Sequence, residues 1–269
     1  MKILRFVDAS GEILLGTPAD AGKAEILRGN PFGALAPSKT VVAIKSLLPP
    51  LDPVNIYCIG LNYRDHATET GASLPEQPVV FMKPTTSVIS AGNSISLPAA
   101  CEHGPEVDFE AELAVVIGRA ARNVKTGDAL DHVLGYTCAN DVSARRWQKH
   151  GGGGQWVRGK SFDTFCPLGP TLVTADEIPD PQDLSICCRL NDQPMQSGHT
   201  RDMIFPVAHL IAHLSRDTTL LPGTVILTGT PAGVGFTREP PVFLADGDSV
   251  EVEIEGIGTL TNPVTGPVP

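Results

Sequence analysis

The sequence predicts a mainly β protein with some α-helix, folded as a roll or a sandwich. Strand-like segments outnumber helical ones along the 269 residues, and their connections are too irregular for regular alternation of strand and helix. The segment at 105–118 is a strand that becomes apolar on both faces, as a strand entering a core does. With 42% hydrophobic and 19% charged residues, the chain has the composition of a globular protein with a substantial core.

A small β-rich unit is predicted at residues 1–50. Its first segment, "MKILRFVDASGEILLG", predicts two short strands around a polar turn. The Pro-rich stretch "LLPPLDP" at 48–54 is typical of a boundary. Residues 51–269 therefore form the second predicted unit.

Charge and cysteine content limit the partners and the compartment. The net charge of -10 and the lack of a basic run disfavour nucleic acid and anionic membranes as partners. No segment approaches the ~18 apolar residues of a membrane span, and no signal peptide is evident at the N-terminus. The six cysteines form no C-x-x-C pair, and the adjacent Cys187 and Cys188 suit buried thiols. We therefore expect a reducing compartment and a cytoplasmic location.

A short helix is predicted between the strands "VNIYCIG" and "PVVFMKP". The segment "NYRDHATETG" offers Asn62 as the N-cap and Gly71 as the stop. His66 and Glu69 lie three residues apart on this helix, close enough for the carboxylate to orient the imidazole as a base. The alternative is an ordinary surface pair, which is common on helices.

The strand "PEVDFEAELAVVIG" at 105–118 carries acids on one face only as far as Glu112. Alternate side chains share a face, so Glu110 and Glu112 lie in line with Ala114 and Val116, at the mouth of a core. Two carboxylates ~4 Å apart at an effective dielectric near 20 repel by ~4 kcal/mol unless a cation lies between them. A solvated face, such as the uninterrupted acid alternation at 249–255, is the alternative. The pattern favours a metal.

Further elements follow the acidic strand. The segment "LGYTCANDVSARRWQ" predicts a strand that ends near Asn140 and Asp141, followed by a helix. Lys160 comes after a Gly-rich loop, where it either turns inward toward an anionic substrate or is a solvated loop lysine. Beyond it we predict the strand "LSICCRLN", a helix over 205–216, and the strands "TVILTG" and "SVEVEIEGIGTL".

Two other motifs are weaker candidates for a site. His209 and His213 in "HLIAH" have the spacing of a zinc motif, but both fall opposite the apolar side of the helix, and Leu210 occupies the position where that motif has Glu. Surface histidines are the favoured interpretation. The segment "TGTPAGVG" has neither a Walker nor a dinucleotide spacing, so it predicts a tight loop in which Thr230 presents its hydroxyl or backbone to a carboxylate.

Taken together, these segments closely resemble the fumarylacetoacetate hydrolase superfamily over nearly all of residues 54–265. The resemblance rests on the number and order of the motifs "GLNYRDHATE", "VVFMKP", "VDFEAELAVVIG", "GYTCANDVSARRWQ", "QWVRGKSFDTFCPLGP", "TRDMIF", "PGTVILTGTPAGVG" and "GDSVEVEIEGIGTLTN". It implies a mixed β-sandwich roll, usually as a homodimer.

The resemblance also implies a metal site and a set of residues that act on the substrate. Mg²⁺ or Mn²⁺ is expected on Glu110, Glu112 and Asp141, whose hard oxygen ligands suit either ion. His66 and Glu69 match a catalytic pair on a short helix that orders over the substrate, and Lys160 matches a lysine that faces the substrate. The positions that match contacts to its carboxylate or carbonyl groups are Arg145, Gln148 and Thr230.

The expected activity is the metal-dependent chemistry of small 2-oxo acids. Hydrolysis of a C–C bond in acylpyruvate-type acids is the main expectation, and oxaloacetate tautomerase or decarboxylase, or a hydratase or isomerase, is the alternative. The segments "SFDTFCPLGP", "ICCR" and "PPVFL" resemble the branch that includes oxaloacetate tautomerases. Many relatives have an acid at the position of Arg146, and this extra cation bears on substrate preference and not on the metal site.

Overall fold

The structure, a computed structural model, describes residues 1–151 and 153–266 and is mainly β, as predicted. Its strands are β1 (Lys2–Asp8), β2 (Ile13–Pro18), β3 (Lys23–Gly29), β4 (Leu35–Leu48), β5 (Ile56–Gly60), β6 (Val79–Met82), β7 (Val88–Ser90), β8 (Ile95–Ser96), β9 (Val107–Asp108), β10 (Ala111–Ile117), β11 (Val133–Asn140), β12 (Ser143–Ala144), β13 (Cys166–Thr174), β14 (Ser185–Leu190), β15 (Gln193–His199), β16 (Val225–Leu227), β17 (Ser249–Ile254) and β18 (Gly258–Thr265).

Helices are few and short. The α-helices are α1 (Arg64–Glu69), α2 (Arg145–His150) and α3 (Val207–Leu214), and short 3₁₀ segments include Val157–Lys160 and Gly235–Thr237. Gly152, in the predicted Gly-rich loop, lies outside the described residues. None of the helices in the described ranges has the length and hydrophobicity of a membrane span.

Two large sheets pack face to face. The larger has the strand order β2-β3-β4-β1-β13-β11-β10-β16-β5-β6, with β7 added beside β13, and the smaller has the order β15-β14-β17-β18-β8. The central strands β10 and β11 pack on β14, β17 and β18. The result is a sandwich whose larger sheet extends well beyond the smaller one.

The central strand β10 is buried on both faces. Leu113, Val115 and Ile117 belong to the core between the two sheets, whereas Ala114 and Val116 pack into a second core behind the larger sheet. The prediction that this strand becomes apolar on both faces beyond Glu112 is therefore confirmed. Glu110 and Glu112 come just before Ala114 and Val116 on the face of the strand that packs into this second core.

The predicted long strand at 105–118 is interrupted at Phe109 and Glu110. Before the break, β9 pairs with β12, with Asp108 opposite Ser143. After it, β10 pairs with β11, with Ala111 opposite Asn140. The alternation of side chains gives no sign of this change of partner, because every odd-numbered residue on both sides of the break is buried.

The N-terminal strands form an antiparallel group that continues into the main sheet. β1 pairs with β2 and β4, and its first residues pair with β13 through Lys2 opposite Val173 and Ile3 opposite Leu172. The predicted hairpin of β1 and β2 is present. The division of the chain into units at residue 50 stays a prediction.

Asn62 is not the N-cap of α1. The cap position is Tyr63, without a side-chain hydrogen bond, and α1 ends at Glu69 before Gly71, which has a φ of 67°. The Asn62 amide is buried and donates to the carbonyl oxygens of Phe205 (3.1 Å) and Thr228 (2.7 Å). It joins three loops around the site, and an N-cap residue type alone does not distinguish this role from capping.

Candidate metal centre

The three carboxylates that the sequence nominated meet at the end of β10. Asp141 follows the last residue of β11, and its amide donates to the carbonyl oxygen of Glu110 (2.9 Å), which continues the pairing of β10 with β11 past its regular end. Glu110, Glu112 and Asp141 each place one oxygen within 4.8 Å of the others, and all three residues are buried. In the ranges that the structure describes, no other group of His, Cys, Asp or Glu meets this criterion.

Two buried lysines contact this cluster. Lys160 Nζ lies 2.9 Å from Glu110 Oε2, 2.7 Å from Asp141 Oδ2 and 2.8 Å from Ser143 Oγ. Lys83 Nζ donates to the other oxygen of Asp141 and to the carbonyl oxygen of Val142 (3.1 Å). The alternative of a solvated Lys160 is thus wrong. Lys83 was missed, although a lysine directly after the apolar strand "VVFM" was a signal that could have indicated it.

Arg145 forms hydrogen bonds with acidic side chains of the protein itself. Its Nε donates to Asp108 Oδ2 (2.8 Å) and its Nη1 donates to Glu110 Oε1 (2.6 Å) and to the side-chain oxygen of Gln148 (3.0 Å). Asp108 also accepts hydrogen bonds from the amides of Gly235 and Phe236. Arg145 therefore anchors the site, and the contacts of Arg145 and Gln148 with a substrate stay predictions.

Of the three acids, Glu112 is the one whose negative charge is least compensated by nearby cations. It is 1% exposed, accepts a hydrogen bond from the Gly229 amide (2.6 Å), and has no basic side chain of the described residues within 4.0 Å. Burial, and then the charges of Asp141 and Glu110, raise the pKa of Glu112 well above its ordinary value. A buried carboxylate beside two others is a site for a cation, so the donor set fits a hard divalent ion.

The pKa of Glu110 shifts in the opposite direction. Burial alone would raise its pKa, but Lys160 and then Arg145 lower the pKa of Glu110 to about 2. Burial lowers the pKa of Lys160, but the charges of Asp141 and Glu110 outweigh it and raise that pKa. This lysine therefore stays charged. The cluster thus combines an ionised acid, a charged lysine and one carboxylate that is poised to exchange its proton for a metal ion.

His66 and Glu69 form the predicted pair. The Nδ1 atom of His66 lies 2.7 Å from Glu69 Oε1, and Glu69 Oε2 accepts from the Gly233 amide (2.9 Å) and the Thr237 hydroxyl (3.1 Å). Burial opposes ionisation of Glu69, but the hydrogen bonds from His66 and Gly233 outweigh it and lower its pKa. An ionised Glu69 holds the Nδ1 proton of His66, which leaves Nε2 free to accept a proton. The pair is not an ordinary surface pair, because His66 is 6% exposed.

One cavity of about 210 Å³ is lined both by Glu110 and Glu112 of the carboxylate cluster and by His66 of the pair. It is lined by acids, bases and aromatic side chains, which include Glu110, Glu112, His66, Lys160, Trp156 and Phe236. Sites for drug-sized ligands usually measure ~300–1,000 Å³, so this cavity suits a small acid. A Cβ at Gly60 would lie 2.1 Å from the Trp156 ring, which explains the glycine at that position.

Thr230 and the two histidines of α3 have structural contacts. The Thr230 hydroxyl donates to the carbonyl oxygen of Ala111 (2.8 Å) and accepts from Gln196 (2.7 Å), so its contact with a substrate stays a prediction. In α3 the apolar side is buried as predicted, and the half-buried rings of His209 and His213 stack on one side of the helix, their centroids 6.4 Å apart.

Comparison with known proteins agrees with this geometry. The sequence model "Fumarylacetoacetate (FAA) hydrolase C-terminal" matches residues 55–265. The chain belongs to the fumarylacetoacetate hydrolase family. The family expectation made from the sequence motifs is thus confirmed, together with the resemblance to its oxaloacetate tautomerase branch.

Named relatives in this family are similar over most of the chain. "Oxaloacetate tautomerase fahd2, mitochondrial" from Xenopus laevis is 51% identical over 220 residues, which are 81% of this chain and 68% of that protein. The human "Oxaloacetate tautomerase FAHD2A, mitochondrial" is 49% identical over 218 residues, with the same coverage. Both relatives are described as mitochondrial, so the cytoplasmic location of this chain stays a prediction.

A solved structure supports the fold independently. The 2-hydroxyhepta-2,4-diene-1,7-dioate isomerase from Mycobacterium marinum is 39% identical, with a TM-score of 0.84 and 98% of each chain covered. The mixed β-sandwich expected for the fumarylacetoacetate hydrolase family is confirmed.

Replacement of Glu112 by Gln tests the metal centre. The substitution keeps the shape of the side chain and removes the acid that has no cationic partner, so we expect Mg²⁺ or Mn²⁺ affinity to fall by more than about 100-fold, beyond the 10–100-fold typical of an outer-shell partner. Calorimetric titration measures it, with the exposed Glu102→Gln as the control. Equal affinity in the two variants would contradict the assignment of Glu112 as a ligand.

Metal binding should also release a proton. Glu112 has a raised pKa in the metal-free protein, and a carboxylate must lose its proton to bind a metal. Affinity for Mg²⁺ is therefore expected to rise with pH until Glu112 is fully ionised. Titrations at one pH, in buffers of different ionisation enthalpy, count the released protons. A pH-independent affinity without proton release would show that Glu112 is already ionised before the metal binds.

Proposed function

We propose that this chain is a divalent-metal-dependent enzyme that interconverts the keto and enol forms of oxaloacetate. The observation that carries the proposal is one small cavity that is lined by Glu110 and Glu112 of the carboxylate cluster and by His66, whose imidazole is paired with Glu69. The relatives at 49–51% identity that are named oxaloacetate tautomerases support this substrate. They favour the tautomerase alternative over hydrolysis of a C–C bond, which was the main expectation from the sequence.

The protein is proposed to hold Mg²⁺ or Mn²⁺ on Glu110, Glu112 and Asp141. When bound, such an ion withdraws electrons from the 2-oxo group of the substrate and so acidifies the C3–H bond. Oxygen-only ligands and octahedral geometry leave positions for the substrate and water. The ion's identity in the cell is part of the proposal and rests on this ligand chemistry alone.

His66 is proposed to move the proton at C3. Glu69 holds the Nδ1–H of the imidazole, and two further groups fix the dyad in place, because Glu69 also accepts hydrogen bonds from the Gly233 amide and the Thr237 hydroxyl. The free Nε2 can accept a proton from C3 and return it there. Tautomerisation needs this transfer and the exchange of a second proton between the 2-oxygen and water, whereas hydrolysis needs water as a nucleophile as well.

The buried lysine is proposed to stabilise the negative charge that develops on the substrate. Lys160 lines the cavity and stays protonated through Glu110 and Asp141. Its ammonium group is fixed before the reaction, so it stabilises the developing oxyanion without reorganisation. Lys83, on the far oxygen of Asp141, keeps that carboxylate in position.

A small 2-oxo acid is thus the proposed partner. The homodimer that the resemblance implies also stays a proposal, and the mass of the particle in light scattering tests it.

His66→Ala is expected to lower the enzyme-catalysed keto–enol rate by ~10²- to 10⁴-fold, the usual contribution of a positioned acid–base group. Metal affinity should change little, because His66 is outside the carboxylate cluster. Glu69→Gln should lose less activity, because Glu69 orients the base without carrying the transferred proton. The measurement follows the ultraviolet absorbance of enol-oxaloacetate after subtraction of the spontaneous rate, with metal affinity measured in parallel.

A substrate screen decides between the two activities. Tautomerisation of oxaloacetate by the wild type without cleavage of acylpyruvates supports the proposal. Cleavage of acylpyruvates without effect on oxaloacetate would overturn it, and so would full tautomerase activity in His66→Ala.

A further inference from the structure

Lys149 is a cation at the cavity that the proposed reaction does not use. It lies on α2 four residues after Arg145, so the two side chains share one face of the helix. Both also contact the Phe236 ring: Lys149 Nζ lies 3.8 Å from its centroid, and Arg145 Cζ lies 4.4 Å from it. All three residues line the cavity that Glu110 and Glu112 also line.

Within the described residues, Lys149 has no acid partner. No carboxylate lies within 4.0 Å of its Nζ, whereas Lys83 and Lys160 each contact acids of the cluster. Partial burial, and then the charge of Arg145, lower the pKa of Lys149. The ring face offsets part of this repulsion between cations. The surroundings of Lys149 therefore disfavour its charged form unless an anion binds beside it.

Arg145 also has one nitrogen, Nη2, that lacks a hydrogen-bond acceptor. Its Nη2 lies 2.7 Å from Asp108 Oδ2 but is not aligned for a hydrogen bond, so this buried nitrogen has no hydrogen-bond partner among the described residues. Arg145 is only 5% exposed. An unsatisfied buried N–H group beside an unpaired ammonium group is a combination that a carboxylate would satisfy.

The charges around the cavity lead to the same conclusion. The ion-pair network has four acids (Asp108, Glu110, Glu112 and Asp141) and three cations (Lys83, Arg145 and Lys160). A bound dication would leave the network with one positive charge, which the nearby ionised Glu69 offsets, so the network has no cation in excess for a distal carboxylate. A second carboxylate would need one more cation, and Lys149 supplies it.

We propose that Lys149 and Nη2 of Arg145 form a subsite for the second carboxylate of a dicarboxylic 2-oxo acid. The inference rests on the proposed function and adds the residue that selects dicarboxylates over monocarboxylates. Phe236 positions the two cations, and the carboxylate binds between them at the mouth of the cavity.

Lys149→Met tests the subsite because it removes the charge and keeps most of the side-chain length. Pyruvate and oxaloacetate differ only in the distal carboxylate, so their dissociation constants on Mg²⁺-loaded protein isolate its contribution. We expect oxaloacetate affinity to fall about tenfold, the order of one charge-assisted hydrogen bond at a partly exposed site. Pyruvate affinity should change less than about twofold, and Lys149→Arg should restore most of the preference.

Lys125→Met is the matched control. It makes the same substitution at an exposed lysine, but Lys125 lines a different surface cavity, beside His209 and His213. It should leave the preference for oxaloacetate intact. An unchanged preference in Lys149→Met, or an equal loss in Lys125→Met, would overturn the subsite. Failure of the wild type to bind either acid would instead refute the proposed function, and the subsite with it.

Discussion

The burial of several carboxylates in one place is the constraint on which the rest of the structure depends. Glu110, Glu112 and Asp141 lie within 4.8 Å of one another and are removed from water. Ionised carboxylates at such a distance in a low dielectric destabilise the fold unless cations compensate them. Lys83 and Lys160 compensate Asp141 and Glu110, and Glu112 remains without a cation. Glu112 is therefore the carboxylate whose charge the proposed divalent ion would compensate.

The fold produces this cluster through a change of strand partner. β9 pairs with β12 and β10 with β11, so the strand is interrupted at Phe109 and Glu110, and Asp141 lies opposite Glu110. Because β10 is packed on both faces, the carboxylates cannot move apart to relieve their repulsion. The helix α1 and the Gly235–Thr237 segment close the other side of the cavity, where Gly233 and Thr237 fix Glu69. The ends of rigid strands thus hold the proposed metal ligands, and a short helix carries the proposed base.

Much of this arrangement could be predicted from the sequence. The end of the acid line at Glu112 located the mouth of the core, and the spacing of His66 and Glu69 indicated their pair. The break in the acidic strand could not be predicted, because odd-numbered residues on both sides of it are apolar. The contacts of Arg145 with Asp108 and Glu110, and those of Asn62, join residues that are at least 35 positions apart along the chain. Lys83 was missed for the same reason, since its partner Asp141 lies 58 residues away.

A crystal structure of the protein grown with Mn²⁺ tests the central claim most directly, because the anomalous scattering of manganese locates the ion without assumption. The account predicts one strong anomalous peak within about 2.0–2.3 Å of oxygens from Glu110, Glu112 and Asp141, the range of hard-cation contacts to oxygen, with Lys160 still paired to an acid of the cluster. An absence of manganese between these carboxylates at millimolar concentrations, with Lys160 alone bridging Glu110 and Asp141, would contradict it.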